Sequence, residues 1–167
     1  MTTARVTPQW LAQQVAKATA PVVEGWRDGV LSIFVPGTPY NFKSASALSM
    51  ATMMKHRRLV KEWRQRTGER LYRWRRDAVW RRGVLYTPWP WRAAEPKRVH
   101  FTVYCRNPFD GVDGLRVVCS PSTDALKDMG LIDDDRDSSR HAFTHEQQPS
   151  RKRGSVYGIA VTVEARR

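Results

Sequence analysis

The chain has 167 residues, 41% of them apolar, with seven tryptophans; that suffices for one ordinary core without disulfides and excludes a disordered chain. Twenty-nine Lys and Arg against sixteen Asp and Glu leave a formal net charge of +13, which points to an anionic partner, most often a polyphosphate backbone. Cys105 and Cys119 form no CxxC pattern, which argues against a disulfide framework or a cysteine-based zinc site; with no leader-like segment and no run of ~20 apolar residues, a soluble cytoplasmic protein without a membrane partner is expected.

In chain order, residues 1–28 read as an N-terminal extension carrying one amphipathic helix from about Thr7 onward, ahead of a main domain over 29–167. Val30 to Val35 (VLSIFV) follows Gly29 and runs into Pro36-Gly37, a strand ending in a turn. Lys55 to Arg82 lacks proline and holds twelve basic residues against three acidic ones. Leu48, Ala51, Leu59, Trp63, Leu71, Trp74 and Ala78 would draw an apolar helical stripe there, with Gly68 as a break between two helices. Cations on the other faces either lie in solvent or repel one another until a polyanion lies alongside.

Residues 83–97 (GVLYTPWPWRAAEPK) read as an irregular connector. Trp89 and Trp91 within it would pack into the connector or stack on unpaired bases. Arg98 to Arg106 alternates Val99, Phe101, Val103 and Cys105 with polar neighbours, the pattern of a half-buried strand. Ser122-Thr123-Asp124 would cap a short helix through Met129, ended by Gly130. Ser139–Gln147 and Ser155–Glu164 would then pair as a hairpin across the turn PSRKRG. The expected fold is α+β: a single domain with a small mixed β-sheet flanked by helices.

Half of the acidic residues lie between Asp110 and Asp137, including Asp133-Asp134-Asp135. Acids after a strand end (Asp110, Asp113) and from a second segment (Asp134, Asp135) are what a hard divalent cation such as Mg²⁺ takes as ligands. A run of aspartates is also an ordinary solvated loop, and alone the run does not decide between the two. His141 and His145, four apart, lack an obvious third zinc ligand and read as exposed strand histidines. Arg151-Lys152-Arg153 and Lys43 are candidate phosphate contacts, together with Arg57, Arg58, Lys61, Arg64, Arg70, Arg73 and Arg76 of the basic segment.

From Leu31 onward the chain resembles the RusA family of Holliday junction resolvases. The resemblance rests on LSIFVPGTPYNFK (31–43), on Asp110-Gly-Val-Asp113-Gly114-Leu115, on Asp124-Ala125-Leu126, and on Gly130-Leu-Ile-Asp133-Asp134-Asp135. It implies a RusA-like fold over residues 29–167 and a homodimer that nicks four-way and related branched DNA in pairs. It also implies Mg²⁺ as cofactor, with Mn²⁺ as the alternative ion. Asp113 and Asp135 would be catalytic metal ligands, Asp110 the other acid of the first pair, and Asp134 a neighbouring ligand. Gly114 stands where the family has asparagine, and Val117 where it has a lysine; Arg116 beside it is the available cation, although arginine does not donate a proton as lysine does. These departures motivate a rival expectation, a DNA- or junction-binding protein on the same scaffold with an impaired site.

Overall fold

The computed structural model describes residues 21–40, 50–75, 79–81, 84–86, 89–134 and 140–166. A hairpin opens it: β1 (Gly25–Arg27) and β2 (Val30–Pro36) are joined by Asp28 and Gly29, both at positive φ. Two-residue loops of this handedness match the twist of paired strands, and Asp-Gly is their preferred sequence. β1 lies in the segment expected as an extension; the helix expected from Thr7 lies outside the described residues.

Next come α1 (Met50–Tyr72), the small hairpin β3 (Val79–Arg81) and β4 (Val84–Tyr86), and then β5 (Lys97–Cys105), α2 (Gly111–Asp128), β6 (His141–Pro149) and β7 (Gly158–Ala165). Five strands make a mixed sheet in the order β1-β2-β7-β5-β6, and β3-β4 stands apart. β7 runs antiparallel to both β2 and β5, and β6 runs parallel to β5. The carboxyl ends of β2, β5 and β6 therefore share one end of the sheet.

Strand alternation sets the core. Leu31, Ile33 and Val35 of β2, Val99, Phe101 and Val103 of β5, and Ile159, Val161 and Val163 of β7 bury one face. Trp63 and Leu71 of α1 and Leu115, Val118 and Leu126 of α2 pack onto it in the same core. Thr67 and Ser122, both fully buried, join the helices through their hydroxyls at 3.0 Å.

Four expectations are corrected. β6 and β7 are not a hairpin, because α2 carries the chain back along β5 and β6 re-enters parallel to it, the geometry of a strand–helix–strand crossover. β7 then slots between β2 and β5. Its sequence suits that place: Ile159, Ala160 and Val161 are all buried, whereas HAFTHEQQP of β6 tolerates the sheet margin.

The helix at 122–129 is the second half of an 18-residue helix that begins at Gly111. Leu115, Val118, Cys119, Ser122, Ala125 and Leu126 form one buried stripe across Pro121. Pro121 has no N–H to offer the Val117 carbonyl, and the Ser120 hydroxyl donates to that oxygen instead at 3.0 Å.

α1 runs unbroken through Gly68, whose cost is about 1 kcal/mol against alanine. It ends at Tyr72, short of Arg82. The last amides tighten to i−3 carbonyls (Trp74 to Leu71, Arg75 to Tyr72), and the Trp26 indole N–H takes the Trp74 carbonyl at 3.1 Å. Finally, the segment expected as a connector over 83–97 holds β4 (84–86) and the first residue of β5, Lys97, with residues 89–96 between them in neither helix nor strand.

Candidate metal and nucleic-acid site

Asp110 is the N-cap of α2, with extended φ/ψ (−72°, 110°) and no side-chain capping hydrogen bond, and Asp113 is the third helical residue. Both are exposed. A helix N-terminus favours carboxylates through its dipole, which by itself accounts for acids here. The backbone leading into Asp110 is fastened from β6: Gln147 Oε1 accepts the Phe109 N–H at 2.8 Å, and Gln147 Nε2 donates to the Phe109 carbonyl at 3.1 Å. One side chain thus imitates a strand partner for the residue before Asp110. Arg116 is exposed one turn further on, and Val117 is half-buried.

The turn after β6 stands at the same end of the sheet. The Ser150 N–H donates to the Cys105 carbonyl at 2.8 Å, its hydroxyl meets that of Ser155 at 2.7 Å, and its carbonyl accepts the Tyr157 hydroxyl at 3.0 Å. The Tyr157 carbonyl in turn accepts the Gly37 N–H at 3.0 Å, tying in the turn after β2. Gly37 has φ +146°, and a Cβ there would press on Arg66 and Trp63, so the Pro-Gly turn admits no larger residue without strain. Arg151, Lys152 and Arg153 project exposed from this braced turn. Two carboxylates and three cations thus share the carboxyl end of the sheet, the usual ligand end of parallel strands.

Asp133 and Asp134 follow the opposite end of α2. The eighteen residues of α2, at ~1.5 Å each, make a helix roughly 27 Å long. Asp110 and Asp113 lie at the start of this helix and Asp134 follows its end. Asp135 lies outside the described residues, as do Lys43 and Arg76. Among the described residues no group of three or more His, Cys, Asp or Glu side chains is placed to hold a metal ion.

Asp133, the acid with no expected role, braces the fold. Its Oδ1 lies 2.7 Å from Nε2 of His141, and its Oδ2 accepts from Arg140 at 2.8 Å. The bond to His141, followed by Arg140, holds its carboxyl below the usual carboxylate range. His141 is fully buried, not exposed as expected. It sits in register with Lys97, also fully buried, whose ammonium donates to the carbonyls of Arg92, Ala93 and Glu95 at 2.6, 3.1 and 2.9 Å. Burial pushes the Lys97 pKa down. His145 stacks on Phe101, ring centres 5.2 Å apart.

The basic residues of α1 divide into two groups. Arg57 and Lys61 are exposed, as are Arg73 just beyond the helix end and Arg58, which pairs with Glu62 one turn away at 2.9 Å. Arg64 instead forms a two-pronged contact with Asp128 of α2, and Arg70 reaches Glu24 at 3.2 Å in a partly buried pair. Glu24 also accepts the Phe34 N–H at 2.9 Å, capping β2 beyond the end of β1. Trp89 is buried, its indole N–H on the Met129 carbonyl at 2.6 Å, and Trp91 packs on Trp26 with ring centres 5.0 Å apart.

Gln147, Ser150 and Tyr157 could not be singled out from sequence, because single polar residues near strand ends carry no pattern; only the pairing register reveals what they grip. No helix among the described residues is long and apolar enough to cross a membrane. No protein-family model matches the chain, and no curated protein matches it either.

Proposed function

We propose that this chain is a Mg²⁺-dependent endonuclease of the RusA type, a cytoplasmic homodimer that nicks four-way and related branched DNA. The observation that carries this reading is the shared sheet end: exposed Asp110 and Asp113 beside the braced turn Arg151–Arg153. A hard cation needs only one or two protein carboxylates, with water and substrate phosphate completing its shell, so the Asp110–Asp113 pair fits such an ion. When bound, the ion lowers the pKa of a water and offsets charge growing on the phosphodiester. Asp110 and Asp113 would hold it, Arg116 and the 151–153 turn would hold neighbouring phosphates, and the exposed cations of α1 would grip the duplex arms. Because α2 separates the two acidic groups, a second copy supplies Asp134 and Asp135 to the site of the first.

The deciding experiment is Mg²⁺-dependent cleavage of a synthetic four-way junction by the wild type, Asp113→Asn and Asp135→Asn. Paired nicks from the wild type alone are expected. Equal cutting by all three, or neither cutting nor junction binding by the wild type, ends this reading.

The distance between Asp113 and Asp134 along α2, together with Val117 in place of the family's lysine, favours a second reading: a junction-binding protein that does not cut. Junction binding without cleavage under every divalent ion tested selects it.

A further inference from the structure

α1 ends in an aromatic and cationic patch that the candidate site does not use. Tyr72, the last residue of the helix, is 64% exposed, and Arg75 stands over one face of its ring, 5.6 Å from the centre. Arg73 and Arg75 are exposed, and no carboxylate among the described residues pairs with either. Glu69, one turn earlier, is bonded back to Gln65 at 2.9 Å, and Arg70 is met by Glu24. The backbone beneath is fixed. Trp74 lies against Gly25, where a Cβ would stand 3.0 Å from the indole ring, and the Trp26 N–H holds the Trp74 carbonyl at 3.1 Å.

The negative end of the helix dipole accounts for cations here, but not for an aromatic ring left open among them. An open ring flanked by cations that meet no carboxylate is the arrangement that binds single-stranded nucleic acid: a base stacks on the ring, and the cations take neighbouring phosphates. A duplex keeps its bases stacked inside and offers the ring nothing. β1, beside this patch, lies three strand spacings from β5, roughly 14 Å across the sheet, so the patch is separate from Asp110 and Asp113. We propose that the end of α1 is a contact for an unpaired stretch of nucleic acid, with Tyr72 stacking on a base, Arg75 bracing the ring and Arg73 holding a phosphate. The proposal rests on the reading of this chain as a DNA-binding protein and not on its cutting DNA.

The test is fluorescence anisotropy of the full chain with a short labelled oligothymidylate and with a blunt duplex of equal length. Tyr72→Ala is expected to weaken oligothymidylate binding about tenfold or more, the loss of one base–ring stack, with duplex affinity and the salt slope unchanged. Tyr72→Phe keeps the ring and should bind as the wild type does. Arg73→Ala should lower the salt slope for the oligonucleotide by about 0.7, the share of one single-strand phosphate. Tyr72 and Arg73 are both exposed, so these changes leave the core intact. Wild-type affinity in Tyr72→Ala, equal losses on oligothymidylate and duplex, or a wild type that does not bind the oligonucleotide overturns the proposal. If Tyr72→Ala keeps wild-type affinity while the protein cuts a four-way junction, the nuclease reading survives without this contact. A selective loss in Tyr72→Ala, from a wild type that cuts no junction, upholds the contact while the nuclease reading fails.

Discussion

Gln147 holds Phe109 by both of its backbone groups, accepting from the N–H at 2.8 Å and donating to the carbonyl at 3.1 Å. The residue immediately before Asp110 is thereby fastened from a neighbouring strand. Gln147→Ala is expected to raise the Mg²⁺ concentration needed for half-maximal junction cleavage while leaving junction affinity near wild type. Gln147→Glu keeps the acceptor and loses the donor, so it should fall between the two. A Mg²⁺ titration of cleavage beside a binding curve separates this loss of aim from general loosening.

Asp133 is expected to matter for stability. Asp133→Ala leaves buried His141 without its partner, at a cost of roughly 1–3 kcal/mol, read by urea unfolding at pH 7. Because the folded carboxyl titrates below its ordinary value, its stabilisation is present above the unfolded value of ~3.9 and fades as pH falls through the folded one. Asp133→Asn should therefore flatten the wild-type loss of stability in that acid window.

The cations of α1 should separate in a salt titration. Arg57→Ala and Lys61→Ala are each expected to lower the slope of log affinity against log salt by about 1, the change that follows when one phosphate is no longer neutralised. Arg70→Ala, whose charge is met by Glu24 in a partly buried pair, should leave the slope nearly unchanged and lower the melting temperature. Fluorescence anisotropy with a labelled junction, together with thermal unfolding, reads both.

Gly158 is expected to accept no side chain. A Cβ there would stand 2.4 Å from the Val35 carbonyl and 2.5 Å from the Phe34 ring. The carbonyl belongs to a paired strand, and the ring is held edge-on by Tyr104 at 5.9 Å between centres. Gly158→Ala should cost about 1–3 kcal/mol as overpacking, measured by denaturant unfolding.

Short-range signals in the sequence located most elements. Alternation gave β2 and β5 nearly to the residue, and the apolar stripe gave Trp63 and Leu71 of α1. Proline and a plausible cap at Ser122 hid the first half of α2, because the rule against proline ignores a neighbour such as Ser120 that can meet the freed carbonyl. The pairing of β6 was illegible for a different reason: two strands joined by a polar turn look alike whether they pair with each other or straddle a third. The acids show the same limit. Their grouping in sequence was plain, yet a helix between Asp113 and Asp134 turns neighbours in the chain into opposite ends of the fold.

The position of β7 has a consequence for how the chain comes to be folded. It is the last of the described elements in chain order, and β2 and β5 join one sheet only through it. A nascent chain that has emerged through β6 holds β1–β2 and β5–α2–β6 as pieces that α1 can bridge but that no strand yet joins, with the apolar flanks of β2 and β5 unpaired. Completion thus waits on residues 158–165, a closure of high contact order, and until then those flanks are open to chaperones or to aggregation. A chain stopped just short of Gly158 would lack the strand at the centre of the sheet and could not assemble the rest.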